Sequence, residues 1–248
     1  EAAFRDIQNA NTRGGLGAYF GDKLEGLHDI GMRGTGFQPM YSQLQRQKGA
    51  AAEDLKEKYK ALIEKGIFEE VTLPDGGPLS VKVSAWDEAN IWKDKAYEVK
   101  VYRMVKKYHR ENTGAEIGSY LLWCPEVFDI LYSDSRTHRF TQEVVFGKAV
   151  YAIMRKLRIK PDILHLNEAH TVVAALAMKN DPFFDDMKVV YTNHTVVRGG
   201  LEIFDPSNCG SDPERMLEVM GIPRDDLEIR KKFLRNKWNI DFCYGAAK

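Results

Sequence analysis

Two short apolar runs in this chain stop abruptly at polar, histidine-bearing residues. The first, Asp162-Ile163-Leu164-His165-Leu166, continues into Asn167-Glu168-Ala169-His170, and the second, Lys188-Val189-Val190-Tyr191, continues into Thr192-Asn193-His194-Thr195. Aliphatic and β-branched runs of this length read as strands buried on both faces. The polar groups that follow then stand at the strands' carboxyl ends, where open α/β sheets bind ligands. Near the start, Asn11-Thr12-Arg13-Gly14-Gly15-Leu16-Gly17 forms a glycine-rich turn that runs into a helix. Glycines let the backbone come close to an anion, and free amides at a helix start attract phosphate. Together the three segments predict a phosphate or sugar-phosphate site. Glu168 and His170 are candidates for polar ligand contacts, and 192–195 for a binding role.

Other chemistries fit less well. Gly15-Leu16-Gly17 is followed by Phe20 where a dinucleotide fingerprint has its third glycine, and no Lys-Ser or Lys-Thr makes it a phosphate-binding loop of the ATPase kind. His165 and His170 lie five apart across a strand end and a helix start, which is not the spacing of two zinc ligands on one helix face. No metal is expected, and His165, inside an apolar run, reads as a structural histidine. No serine stands in a nucleophile elbow.

The elements that must position these groups follow from periodicity. A helix is predicted over 21–31, with Leu24, Leu27 and Ile30 at three-residue spacing and Gly31 closing it. A strand follows over 34–41, which Pro39 restricts to an edge or a strand end. A charged helix covers 50–65, with Leu55, Tyr59 and Leu62 on one stripe. Short alternating segments over 68–73, 79–86 and 96–104, with a turn at Pro74-Asp75-Gly76-Gly77-Pro78, read as a β-rich insertion spanning about 67–125, and 117–123 is a further strand. A long helix over 139–157 places Phe140, Val144, Gly147, Tyr151 and Met154 on one face, with Gly147 packed closely on the sheet. A strand over 162–166, a helix over 168–178 capped by Asn167, and a strand over 187–191 require a right-handed parallel crossover. Short helices are predicted over 212–220 and 225–238. The fold class is α/β.

The 248 residues, 44% of them hydrophobic, suffice for one large or two small domains. Lysines and arginines number 36, matched by 36 acidic residues, so no global basic field exists to hold a polyanion, and nucleic acid is not an expected partner. Three widely spaced cysteines, Cys124, Cys209 and Cys243, suggest neither a disulfide framework nor a zinc site, and fit a reducing cytoplasm. No apolar run approaches the length of a membrane span. The glycine turn lacks a convincing strand before it, so the chain, 1–248, reads as a domain incomplete at both ends.

At these motifs the chain resembles the α-glucan phosphorylases, the family of glycogen and maltodextrin phosphorylase. Asn11 to Gly17 with Gly21-Asp22, then Ile30-Gly31-Met32 and Gly34-Thr35-Gly36, look like that family's N-terminal segment. Arg139-Phe140-Thr141-Gln142-Glu143 resembles its R-x-x-QE helix opening, His165-Leu166-Asn167-Glu168-Ala169-His170 its LN-acid-x-H motif, and Tyr191-Thr192-Asn193-His194-Thr195-Val196 its YTNHTV sequence. The resemblance implies the Rossmann-like N-terminal half of a GT-B glycosyltransferase, with the C-terminal half as partner and homo-oligomers possible. It implies reversible phosphorolysis of an α-1,4-glucan or maltooligosaccharide to glucose 1-phosphate, with pyridoxal phosphate carried on a lysine of the other half. Gly14, Gly15, Leu16 and Gly17 would lie against phosphate, His194 against the transferred glucosyl unit as the catalytic residue, and Asn167, Glu168, His170 and Asn193 in the same cleft. Such a chain alone is not expected to catalyse. Val197-Arg198-Gly199-Gly200 departs from the family pattern. A glycogen or starch synthase-like enzyme using a nucleotide sugar, and a non-catalytic glucan-binding module, are the alternatives.

Overall fold

The computed structural model describes residues 16–44, 53–105, 117–131, 133–194, 201–235 and 238–246. The chain divides into two compact units, one of Glu1–Ser80 and Val99–Tyr132, the other of Val81–Glu98 and Ser133–Lys248.

In the first unit, helix α1 (Leu16–Asp29) is followed by strand β1 (Gly34–Pro39), short strands β2 (Gln43–Leu44) and β3 (Glu53–Asp54), helix α2 (Lys56–Glu64) and strand β4 (Phe68–Glu70). Strands β5 (Ser80–Asp87) and β6 (Asn90–Met104) pair with each other, and β7 (Ile117–Trp123) completes a five-stranded sheet of order β1-β7-β6-β4 with β5 on β6. β1 runs parallel to β7, whereas β7 and β4 run antiparallel to β6. The meander expected from alternation is therefore continuous with the Gly34–Pro39 strand in one sheet. α1 starts five residues before the predicted helix, and Gly31, at φ 75°, ends it as expected. Its buried face carries Leu24 and His28, while Ile30 is 69% exposed. Pro39, without an amide hydrogen, closes β1 at the outer position of the sheet order. Met40, Leu44, Leu55, Tyr59, Leu62, Phe68 and Leu121 form this unit's core.

The second unit centres on α3 (Arg136–Lys156), whose start is capped by Ser135 accepting the His138 amide. Sequence spacing gave this helix one apolar stripe, yet it is buried on most sides, with Arg139, Thr141, Gln142 and Glu143 inside along with Phe140, Val144 and Val150. Strand β8 (Ile163–Asn167), a 3-10 turn (Ala169–Thr171), helix α4 (Val172–Met178) and strand β9 (Lys188–Thr192) follow. Strand β10 (Ile203–Phe204), helices α5 (Pro213–Met220) and α6 (Leu227–Phe233), strands β11 (Leu234–Arg235) and β12 (Asn239–Asp241) and helix α7 (Phe242–Ala246) complete it. The predicted helix over 225–238 thus stops early, because Leu234 turns extended and its strand pairs with β12.

β8 and β9 pair in parallel, in register from Ile163 opposite Lys188 to Asn167 opposite Thr192, as the crossover requires. They are not buried on both faces. Ile163, Val189 and Val190 are exposed, because among the described residues these two strands pair only with each other. Gly147 packs not on the sheet but on α4, where a Cβ would lie 2.6 Å from the Ala174 amide nitrogen. The far part of the β5–β6 hairpin belongs to this unit. The Trp86 ring lies 4.6 Å from that of Phe140 in a tilted contact, and its Nε1 donates to Thr141 Oγ1 at 2.7 Å. Glu88 meets His138 Nδ1 at 2.8 Å, and Arg215 holds the Ile91 carbonyl at 2.7 Å and Asp94 at 2.8 Å.

Candidate functional site

Parallel pairing ends at Asn167 and Thr192, and the polar residues beyond them interlock. The Glu168 amide donates to the Thr192 carbonyl at 2.8 Å, carrying the contact between the strands one residue past the ladder. Glu168 itself sits at φ 70° and ψ 161°, a conformation that disfavours a side chain. Its carbonyl accepts the Thr171 hydroxyl at 2.8 Å, and its buried carboxylate accepts the His194 backbone amide at 2.9 Å. His194 returns to β8 through Nε2, 2.9 Å from Asn167 Oδ1. With the Asn167 amide so oriented, Nε2 is the donor. His194 is thereby held at an exposed position by two contacts to the β8 end, Glu168 at its backbone and Asn167 at its imidazole.

Asn167 was expected to cap the helix after β8. Instead its side chain serves His194, and Glu168 takes the position before the 3-10 turn without a side-chain cap. The strand's last residue faces across to β9, so its side chain cannot also reach forward to the amides of the following turn. His165 bonds the Thr192 hydroxyl at 2.7 Å, a satisfied structural histidine as expected. Asn193 donates from Nδ2 toward Cys243 Sγ at 3.9 Å. Burial pushes the Cys243 thiol above its ordinary value, so it stays protonated at neutral pH.

His170 sits on the 3-10 turn that follows Glu168. The 3-10 turn that carries it packs on α3 and on α7. Burial pushes its imidazole down to about 4, the positive Arg139 acts in the same direction, and the negative Glu202 opposes. It is a neutral hydrogen-bonding group at physiological pH, not a cation.

Around it lies a cluster that the sequence did not single out as functional. Arg139 Nε pairs with Glu143 at 2.8 Å and its Nη2 with Glu202 at 3.2 Å, while Arg136 reaches Glu202 at 3.4 Å. Burial, and then the charge of Glu202, hold the Glu143 carboxyl well above the carboxylate range. Burial pushes Glu202 up as well, but the charges of Arg139 and then Arg136 outweigh it and leave Glu202 below its ordinary value. The two carboxyls are thus displaced in opposite directions by the same cluster. Arg139 and Glu143, four residues apart in the R-x-x-QE stretch, were the sequence signal for half of this cluster. Glu202, in Leu201-Glu202-Ile203-Phe204, offered none.

Of the glycine turn, Leu16 and Gly17 form the first turn of α1 in the first unit. Gly14, Gly15 and Thr195 lie outside the described residues.

Residues 10–242 match the family model described as the starch synthase catalytic domain. The chain belongs to that family, and its fold is the Rossmann-like α/β half of a GT-B glycosyltransferase. It is 27% identical to the maltodextrin phosphorylase of Thermococcus litoralis over 86% of its own length and 26% of that protein's. It is 33% identical to the glycogen synthase of Vibrio cholerae over 40% of its length and 22% of that enzyme's. The chain thus spans about a quarter of these relatives. Among solved structures, the catalytic domain of starch synthase IV from Arabidopsis thaliana, bound to ADP and acarbose, aligns with 86% of this chain and 42% of its own, at 13% identity and a TM-score of 0.48.

Proposed function

We propose that this chain is part of a glucosyltransferase that extends an α-1,4-glucan from a nucleotide-linked glucose donor. The observation that carries the reading is the family match over 10–242, which encloses both strand ends and the glycine turn. In this reading the pre-oriented His194 imidazole and the Asn167, Asn193, Glu168 and His170 side chains hydrogen-bond the glucosyl unit and its acceptor. Glucosyl transfer builds positive charge at the anomeric carbon and negative charge on the leaving phosphate oxygen. Glu168, at the strand end, is suited to oppose the first. By sequence, the glycine turn Gly14-Gly15-Leu16-Gly17 is the segment proposed for the phosphate group, since glycines let a backbone come close to an anion. The acceptor hydroxyl must lose a proton as the new bond forms, and a neutral imidazole or a carboxylate can take it.

The phosphorylase reading is second, supported by the 27% identity over 86% of the chain and by Tyr191-Thr192-Asn193-His194-Thr195-Val196. There the donor is glucose 1-phosphate, and pyridoxal phosphate would be held by a lysine elsewhere in the protein. The strand-end set of Asn167, Glu168, His170, Asn193 and His194 contains no amine for a Schiff base.

The deciding experiment supplies the complete natural protein with maltoheptaose and either ADP-glucose or glucose 1-phosphate. Chain growth with ADP-glucose alone is expected. Growth with glucose 1-phosphate alone would replace the first reading by the second, and growth with neither would leave a glucan-binding module. In whichever assay is active, His194→Asn and Asn167→Ala are each expected to lower kcat/KM by about a hundredfold, since the oriented imidazole is lost.

A further inference from the structure

We propose that Arg139 is the positioning residue of the strand-end site: spanning Glu143 and Glu202, it fixes the seat of His170 beside Glu168. The proposal rests on the strand ends being the sugar site, but its geometry is independent of which donor is used.

Arg139 lies in the first turn of α3 with a side chain only 7% exposed. A guanidinium so buried must be fully paired, because an isolated charge there is strongly disfavoured. Its partners come from two places. Glu143 is one turn along α3, and Glu202 lies on the segment entering β10, 63 residues away. Only the planar fork of arginine can hold both at once from one position, since lysine is a point charge on a flexible stem. Arg136 reinforces the link. It donates to the Ile203 carbonyl at 3.0 Å, and its guanidinium lies 4.2 Å over the Phe204 ring. The Glu202 segment is in turn tied to α7 by the Phe242 amide, which donates to the Glu202 carbonyl at 2.9 Å. α3 and α7 are two of the elements on which the His170 turn packs, so Arg139 binds together the walls of that seat.

The charged groups acting on His170 are Arg139 from α3 and Glu202 on the segment before β10; the other elements packed against its turn carry His165 on β8 and Cys243 and Tyr244 on α7. α4, Val172–Met178, carries none. The low proton affinity of His170 agrees with this placement, since burial and then Arg139 are its two depressing influences. A neutral imidazole offers one donor and one acceptor, which suits a sugar hydroxyl.

The test follows the six histidine rings of the carbon-labelled chain by NMR from pH 4.5 to 8. In the wild type, the His170 resonance is expected to stay flat over most of this range, with its midpoint near about 4. Arg139→Met removes the cation and leaves Glu202, so the midpoint is expected to rise by about one unit or more. A folded Arg139→Met protein with an unmoved midpoint overturns the proposal. Arg139→Lys covers the case in which the methionine variant does not fold. It keeps the charge and gives up the fork, and is expected to move the His170 chemical shift. In the complete enzyme it is expected to lower kcat about tenfold or more while KM changes less. A lysine variant with wild-type chemical shift and wild-type kcat overturns it equally. If the complete enzyme transfers no glucosyl unit from either donor, the functional reading fails while the NMR result still decides the role of Arg139.

Discussion

Glu168 joins an unfavourable backbone conformation to a buried carboxylate, and the two can be separated by substitution. Glycine accepts φ near 70° freely, whereas alanine keeps the strain, which costs about 1–3 kcal/mol at such positions. Both changes lose the acceptor for the His194 amide. Glu168→Gly is therefore expected to be more stable than Glu168→Ala by about 1 kcal/mol in urea denaturation, with both losing transfer activity. Equal stabilities would show that the conformation carries no strain. His170 gives a second expectation. Its imidazole takes a proton at 6.5 when unfolded and at about 4 when folded. Between those values the unfolded chain binds a proton that the folded one does not, so stability present above pH 6.5 is lost as pH falls through about 4. His170→Asn is expected to flatten the dependence of the urea midpoint on pH in that window, and an unchanged slope would remove His170 as its source. At this scale the sequence was most legible where a polar residue ended an apolar run, as at Glu168 and His194. The partners of those residues were not legible, because Asn167 bonds across two strands and Glu202 joins Arg139 over a separation that no local pattern encodes.

Among the elements, α3 shows how burial can hide a pattern. Its extent was nearly recovered from spacing, but a helix enclosed on most sides has no single stripe to read. Gly147 marks the closest approach. A Cβ there would meet Val173 Cβ and the Ala174 amide nitrogen, both at 2.6 Å, and the amide nitrogen is backbone that a rotamer change cannot move. Gly147→Ala gains about 1 kcal/mol of helix propensity, yet it must part α3 from α4. The expected net result is a loss of about 1–3 kcal/mol, read as a lower Tm. A higher Tm would mean that the two helices separate at little cost. β8 and β9 teach the opposite lesson. Their hydrophobic runs predicted strands covered on both faces, and the strand assignment and parallel pairing hold. Coverage depends on neighbouring strands, which local sequence does not specify, and it is lacking at Val189 and Val190.

At the scale of the whole molecule, the chain passes between its two units at 80–81, 98–99 and 132–133, the first two of these inside β5 and β6. A cut at 132–133 alone does not give a complete second unit, because that unit needs the hairpin residues Val81–Glu98. Without them Phe140 loses its ring contact with Trp86, and Thr141, His138 and Arg215 each lose a side-chain partner. A fragment of residues 81–248 is expected to show a cooperative thermal transition, and one of residues 133–248 a broad one or none, by circular dichroism. Equal transitions would make the hairpin an accessory. The same arrangement orders events while the chain is being made. Trp86 leaves the ribosome 55 residues ahead of the Thr141 that receives its indole hydrogen. At about 5–20 residues per second it waits about 3–11 seconds with one of the largest apolar surfaces in the protein uncovered. The second unit therefore stays open at its hairpin until α3 has been made.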